Sequence, residues 1–181
     1  MMQHSRHLVE CQVPKVALRA SASPRWVPCP ASAGLEAQFP NPDTVQNMEG
    51  TAAHEMLERR LKGVTTSAYD DVGRKAENGV ELNEEMARHV EDVNIALDTW
   101  RGPDIDMYVE QPVVTPQDGV PGHLDIGAWN ATTKSLKIGD FKYGYGEVDP
   151  LGNSQLIHYG LGLEAALGVQ IDWFEFVIFQ P

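Results

Sequence analysis

The sequence predicts an α/β fold: a mixed four-stranded sheet flanked by helices, in the order α-α-β-β-β-α-β. Three observations carry this. Two stretches in the first half repeat apolar residues at helical spacing. Three runs of sheet-like residues then follow one another, separated by turn sequences. A further apolar helical stretch precedes a last run of alternating large residues, so a crossover helix delivers the fourth strand to the sheet.

Residues 1–24 show no clear period and contain Pro14 and Pro24, which reads as a basic N-terminal arm; residues 25–181 form the single domain. A short helix at 32–37 is closed by Pro40 and Pro42. Asp43 or Thr44 caps a helix over 47–62, with Met48, Ala52, Ala53, Met56, Leu57 and Leu61 on its apolar side and Gly63 at its end. Residues 64–79 read as loop. A second long helix spans 81–100, with Met86, Val90, Val93, Ile95 and Leu97 inward. Strands are expected at 105–114, where Pro112 marks an edge or a bulge, at 120–129 after the turn Gln117-Asp118-Gly119, and at 134–143 after Asn130–Thr133. A glycine-rich loop leads to a helix over 153–167 bearing Leu156, Ile157, Tyr159, Leu161, Leu163 and Leu167. Gly168 stops it, and 170–179 is the last strand.

The 181 residues carry 42% hydrophobic and 22% charged residues, the range of one ordinary globular domain. No apolar run reaches membrane-spanning length, and the N-terminus lacks the basic-then-apolar layout of a secretory leader. Two cysteines, Cys11 and Cys29, make no disulfide framework, so a reducing cytoplasm is the expected compartment. The net charge of −12 argues against tight, sequence-blind coating of DNA. The acid is concentrated late, since no Lys or Arg follows Lys142 while Glu147, Asp149, Glu164, Asp172 and Glu175 do. An enzyme that meets phosphate through a divalent cation needs such local acid.

Asp140 and Lys142 lie two apart in a strand and leave the same face. A hairpin turn near 130–133 brings Asp125 alongside. Two carboxylates and a lysine suit a hard divalent metal and an activated water, or else form a surface salt bridge on an exposed strand. His54 and Glu58 share a helix face and offer an imidazole ligand with a carboxylate behind it; flanked by Glu55, Arg59 and Arg60, they equally fit a solvated face. Gln155 and Tyr159 pair at the start of the third long helix, where free amides favour phosphate, though a core tyrosine beside an incidental glutamine fits the same spacing. Tyr143 and Tyr145, in a glycine-rich loop over the site, are available for base stacking. His123 and His158 are turned away by strand alternation and helix phase, and His4 and His7 fall in the arm.

Taken in order, Glu49-Gly50-Thr51-Ala52-Ala53-His54 with Glu58, Gly122-His123-Leu124-Asp125, Asp140-Phe141-Lys142-Tyr143-Gly144 and Gln155-Leu156-Ile157-His158-Tyr159 resemble the motifs of a RecB-like nuclease of the PD-(D/E)XK superfamily. The likeness is to phage proteins of this type, which the segment Ser23-Pro24-Arg25-Trp26-Val27-Pro28-Cys29-Pro30-Ala31-Ser32 also resembles. It implies a restriction-endonuclease-like core and a metal-dependent deoxyribonuclease, an exonuclease or end-processing enzyme of phage recombination or replication acting in the host cytoplasm. It implies His54, Asp125, Asp140 and the Phe141 main-chain carbonyl as ligands of Mg²⁺ or Mn²⁺. Lys142 would position the water or stabilise phosphate charge, and Gln155 and Tyr159 would steady them. Glu58 and Glu110 are second-shell additions. Cys29 sits where some relatives place the first cysteine of an iron–sulfur cluster, but no cysteine follows, so no cluster is expected. The expected partners are DNA, as single strands or duplex ends, and a recombinase, helicase or other phage protein, with no membrane. The alternatives are a catalytically silent nucleic-acid- or protein-binding module on the same fold, and a nuclease subunit that needs its partner.

Overall fold

A computed structural model describes residues 17–39, 42–144 and 146–181. Its elements are α1 (Ser23–Trp26), α2 (Ala31–Glu36), α3 (Val45–Leu61), α4 (Glu84–Ala96), β1 (Ile105–Val114), β2 (Pro121–Asn130), β3 (Ser135–Phe141), α5 (Ser154–Leu167) and β4 (Trp173–Phe179), with 3-10 turns at Ala20–Ala22, Ala68–Asp71 and Leu97–Trp100. The four strands form one mixed sheet in the order β1-β2-β3-β4, with the first two pairings antiparallel and β3–β4 parallel. The α/β class, the mixed sheet and the crossover helix expected from the sequence are present.

Each long helix starts where a side chain can satisfy its free amides. Thr44 accepts from the Asn47 amide at 3.2 Å, Asn83 from Met86 at 2.9 Å and Asn153 from Leu156 at 3.3 Å. Gly168 closes α5 at φ +64°, a left-handed turn that costs glycine little. Helices α3 and α4 cover one sheet face, where Met56, Leu57, Met86 and Val90 meet Ile126, Ala128 and Phe141. Helix α5 covers the other, against Trp129, Leu136 and Ile138. Within α5, Gly162 lets the helix lie on β1: a Cβ there would stand 2.9 Å from the Val113 Cβ.

Several details differ from the expectations. The second long helix begins at Glu84 and gives way after Ala96 to a 3-10 turn. Ile95, placed inward by helical phase, is exposed, and so is Ile157 of α5, because the helix faces they occupy meet no second layer. The segment 64–83 is pinned rather than free. Asp71, 2% exposed, accepts from Arg59 at 2.9 and 3.0 Å and from Arg74 at 3.1 Å, while Arg74 also reaches Glu55 and Arg60 reaches Glu91. Of the charges beside His54, Glu55 and Arg59 therefore tie α3 to that segment and Arg60 ties it to α4, instead of facing solvent. The expected arm boundary at residue 24 falls inside α1, and Ala20 and Ser23 are buried, with Ser23 Oγ 2.8 Å from Ser154 Oγ of α5. The rest of the arm, with Cys11, His4 and His7, lies outside the described residues.

The sheet is irregular at one point. Tyr108 and Val113 of β1 both pack in the α5 layer although five residues apart, and so do Leu124 and Trp129 of β2, while Ile126 and Ala128 pack under α3 and α4. Regular alternation forbids this, so both strands switch face between those residues. The pairings Val109–Ile126 and Gln111–Leu124 flank the switch, leaving Glu110 and Asp125 between them, and Glu110 adopts φ +50°. No residue is inserted, and the irregularity lies at Glu110 rather than at Pro112. A left-handed glutamate is strained backbone, which concentrates at functional sites.

Candidate functional site

The hairpin between β2 and β3 keeps one register through Ile126–Gly139, so the next residues, Asp125 and Asp140, face one another. Asp140 is 1% exposed and Asp125 7%, so the Asp140–Lys142 ion pair is present but does not lie on an exposed strand face. One Asp125 oxygen, Oδ2, accepts from the Phe141 amide at 2.7 Å. Lys142, two residues beyond Asp140, places Nζ 2.7 Å from Asp140 Oδ2. Gln155, in the first turn of α5, donates to Asp140 Oδ1 at 2.7 Å and to the Tyr159 hydroxyl at 2.9 Å, and its oxygen stands 3.4 Å from Lys142 Nζ. Gln155 and Tyr159 are therefore buried partners of the acid pair, not incidental core residues.

From the opposite layer α3 brings His54, whose Nδ1 lies 3.6 Å from Asp125 Oδ2 and 4.0 Å from Glu110 Oε1. The His54 ring also meets the Phe141 ring edge-on at 5.3 Å. His54, Glu110 and Asp125 each direct one donor atom into a space where these atoms lie within 4.8 Å of one another, a group able to hold a metal ion. Glu110 thus stands among the donors. The turn centred between Gln117 and Asp118 sets it opposite Asp125, a relation the β1–β2 register already contained. Glu58 instead bonds Lys62 at 2.6 Å, on the exposed side of α3.

The electrostatics describe a site short of positive charge. Burial and the neighbouring Asp140 push the Asp125 carboxyl up to about 8. Burial and Asp125 push Glu110 to about 7. Burial also raises Asp140, against the pull of Lys142, and raises the Tyr159 hydroxyl. His54 is lowered by burial, so it offers a neutral imidazole, the form that binds metal. Asp140 Oδ2 accepts no hydrogen bond from any described residue despite its burial; Lys142 approaches it without hydrogen-bond geometry. A buried acceptor with a free lone pair, beside protonation-prone carboxylates and a neutral imidazole, fits a divalent cation.

The remaining expectations divide. The His158 Nδ1 lies 2.9 Å from Thr115 Oγ1 and its ring packs on Trp26, while His123 is exposed, so both are directed away from the acids as expected. Tyr143 is half-buried and packs near His89 and Phe141 rather than standing free over the site. The loop after it is held by Gln180, which donates to the Gly146 carbonyl and accepts from the Val148 amide. Tyr145 lies outside the described residues. A cleft of about 710 Å³ opens between the starts of α3 and α4, the loop after β3 and the end of β4, and none of His54, Glu110, Asp125, Asp140 or Lys142 lines it. Its lining among the described residues includes Glu49, Glu85 and Glu147 and no lysine or arginine.

These features define a mixed α/β domain in which β1, β2 and β3, with one helix from each layer, build an acidic centre, and His54, Glu110 and Asp125 within it form a group able to hold a metal ion. The chain belongs to the DUF2800 family, described as a protein of unknown function, whose model matches residues 16–181. Among the described residues no helix is long and apolar enough to cross a membrane.

Proposed function

We infer that this protein is a metal-dependent DNA nuclease with a restriction-endonuclease-like core of the RecB-like kind, hydrolysing phosphodiester bonds at DNA ends. The observation that carries this reading is the meeting of Asp125, Asp140 and Lys142 on adjacent strands, with Gln155 bridging Asp140 and Lys142. His54, Glu110 and Asp125, with Asp140 beside them, would hold Mg²⁺ or Mn²⁺. When bound, the cation supplies Lewis acidity toward a phosphate and acidifies water.

The chain's own residues do the rest. Lys142 brings a fixed ammonium to the charge that grows on the phosphate as water attacks in line. Asp140 sets the position of that ammonium, and Gln155 restrains both by one amide. Tyr159 fills the space behind Gln155 and keeps water from that side. The carboxyl groups of Glu110 and Asp125, lifted toward neutrality by burial, exchange protons for the cation when it binds.

Cleavage of end-labelled single- and double-stranded DNA with Mg²⁺ or Mn²⁺, comparing wild type with Asp140→Ala and Lys142→Ala, tests the reading. Cutting by wild type alone, with both variants folded, supports it, and the product ladder gives polarity. Mn²⁺ binding that Asp140→Ala weakens, without cleavage, indicates a subunit that needs a partner. Absence of both cleavage and metal binding leaves a binding module and refutes the nuclease.

A further inference from the structure

Most lysines and arginines among the described residues are already held by acids: Arg59 and Arg74 by Asp71, Arg60 by Glu91, Lys142 by Asp140. Those that no acid holds among the described residues are Arg19, Lys75, Arg88 and Lys134. Lys134 stands in the β2–β3 turn, at the opposite end of β3 from Asp140, and Lys75 belongs to the pinned segment before α4. The Arg88 Nη2 lies 3.3 Å from His89 Nε2. Arg19 is placed differently, because the residue after it packs on Tyr159.

Ala20 is 1% exposed and joins Tyr159 in the cluster under α5. Both close on Gly122 of β2, where a Cβ would stand 2.6 Å from the Tyr159 Cε1 and 2.9 Å from the Ala20 Cβ. Ser23 then meets Ser154 at the start of α5, beside Gln155. The segment 20–23 is thereby fixed at both ends against the helix that carries Gln155 and Tyr159. The Arg19 backbone is held as well. Its carbonyl accepts from the Trp26 indole at 2.9 Å, and the Trp26 ring packs on His158. The Arg19 side chain has no such tether among the described residues and is exposed. It lines a groove of about 490 Å³, whose lining among the described residues also carries Arg25 and Glu36. Those two charges answer one another through a two-bonded pair, so Arg19 supplies the uncompensated charge of the groove. A fixed backbone with a free guanidinium, beside an acidic centre, suits an anion that the centre holds at a second point.

We propose that Arg19 is a substrate-positioning residue that binds a phosphate of the DNA strand other than the one cut. The proposal rests on the nuclease reading for its substrate. A strand that brings one phosphate to Lys142 and the cation carries a neighbouring phosphate past the start of α5, where the guanidinium takes it. The contact reads no base, because phosphate contacts set register and carry no sequence information. With a net charge of −12 the protein has few cations to offer, so one arginine is a large share of its phosphate binding.

Anisotropy of a fluorescein-labelled single strand, followed through a salt series with Mn²⁺ in the Lys142→Ala chain so that the strand stays uncut, tests this. Adding Arg19→Gln should weaken binding about tenfold at low salt and flatten the slope of log K against log salt by about 0.7. The loss should be alike on strands of different sequence. Arg19→Lys keeps the charge and should keep the slope, and neither variant should change the melting temperature. With Lys142 restored, Arg19→Gln should raise KM about tenfold and leave kcat unchanged. Equal slopes and affinities with and without Arg19 overturn the proposal, as does a strand that the parent chain fails to bind. The two readings fail separately. Cleavage with equal salt slopes strikes only the Arg19 contact, whereas a slope that falls with Arg19→Gln while wild type cuts nothing strikes only the nuclease.

Discussion

Replacing Glu110 by glutamine removes one acid from the centre while keeping its shape. Burial and the Asp125 charge lift the Glu110 carboxyl from 4.5 to about 7. The unfolded chain releases this proton near 4.5 and the folded, metal-free protein holds it until about 7. Between those values the folded state binds more protons, so stability is whole below 4.5 and is lost as pH rises through 7. The interval corresponds to at most about 3 kcal/mol at pH 8. Glu110→Gln has no such proton, and its removal also relieves Asp125, whose own carboxyl is lifted to about 8. Urea unfolding in EDTA at pH 5 and pH 8 should therefore show wild type losing stability toward high pH and the variant losing less, by about 2–3 kcal/mol. With Mn²⁺ added the order reverses: wild type gains more, and gains most at pH 8, where fewer protons must be displaced. Parallel pH dependence of the two proteins in EDTA would refute the electrostatic account of the centre.

Glu110→Gly removes the charge and the left-handed strain together, and should unfold about 1 kcal/mol harder than Glu110→Gln in EDTA, in the same urea titration. Gln155→Leu frees Lys142 and Asp140 from their common amide; cleavage should fall about 10- to 100-fold while calorimetric Mn²⁺ affinity changes less. Asp71→Ala strands the Arg59 and Arg74 guanidiniums in a partly buried network and should cost about 3–5 kcal/mol in chemical denaturation. Gly162→Ala drives a methyl against Val113 and should cost about 1–3 kcal/mol, read as a lower melting temperature.

The sequence displayed its strands more plainly than its connections. Ile105–Val114 was legible to the residue, because a polar turn bounds it and its β-branched residues have no competing helical period. The pinned segment 64–83 was opaque: its order comes from Asp71 meeting Arg59 and Arg74, contacts that no periodicity encodes. In the centre, Asp140, Lys142, Gln155 and Tyr159 could be grouped because strand and helix spacing fix their directions. Glu110 could be set opposite Asp125 by the turn, but its direction could not be read, because alternation fails at that residue and the two strands change face together. Glu58 misled for the opposite reason: the i, i+4 rule linking it to His54 also links it to Lys62, and the ammonium wins.

The two hydrophobic clusters lie on opposite sides of one sheet, and the centre draws His54 from the first and Gln155 and Tyr159 from the second. The two halves meet through the strands between them, and units coupled in that way can open separately. A cation held by His54, Glu110 and Asp125 would rivet helix α3 to the strands that α5 leans on. Filling the site would then change how the protein comes apart, turning two separable openings into one event. Hydrogen exchange would record this as slowed opening in α5, a helix that contributes none of those three donors.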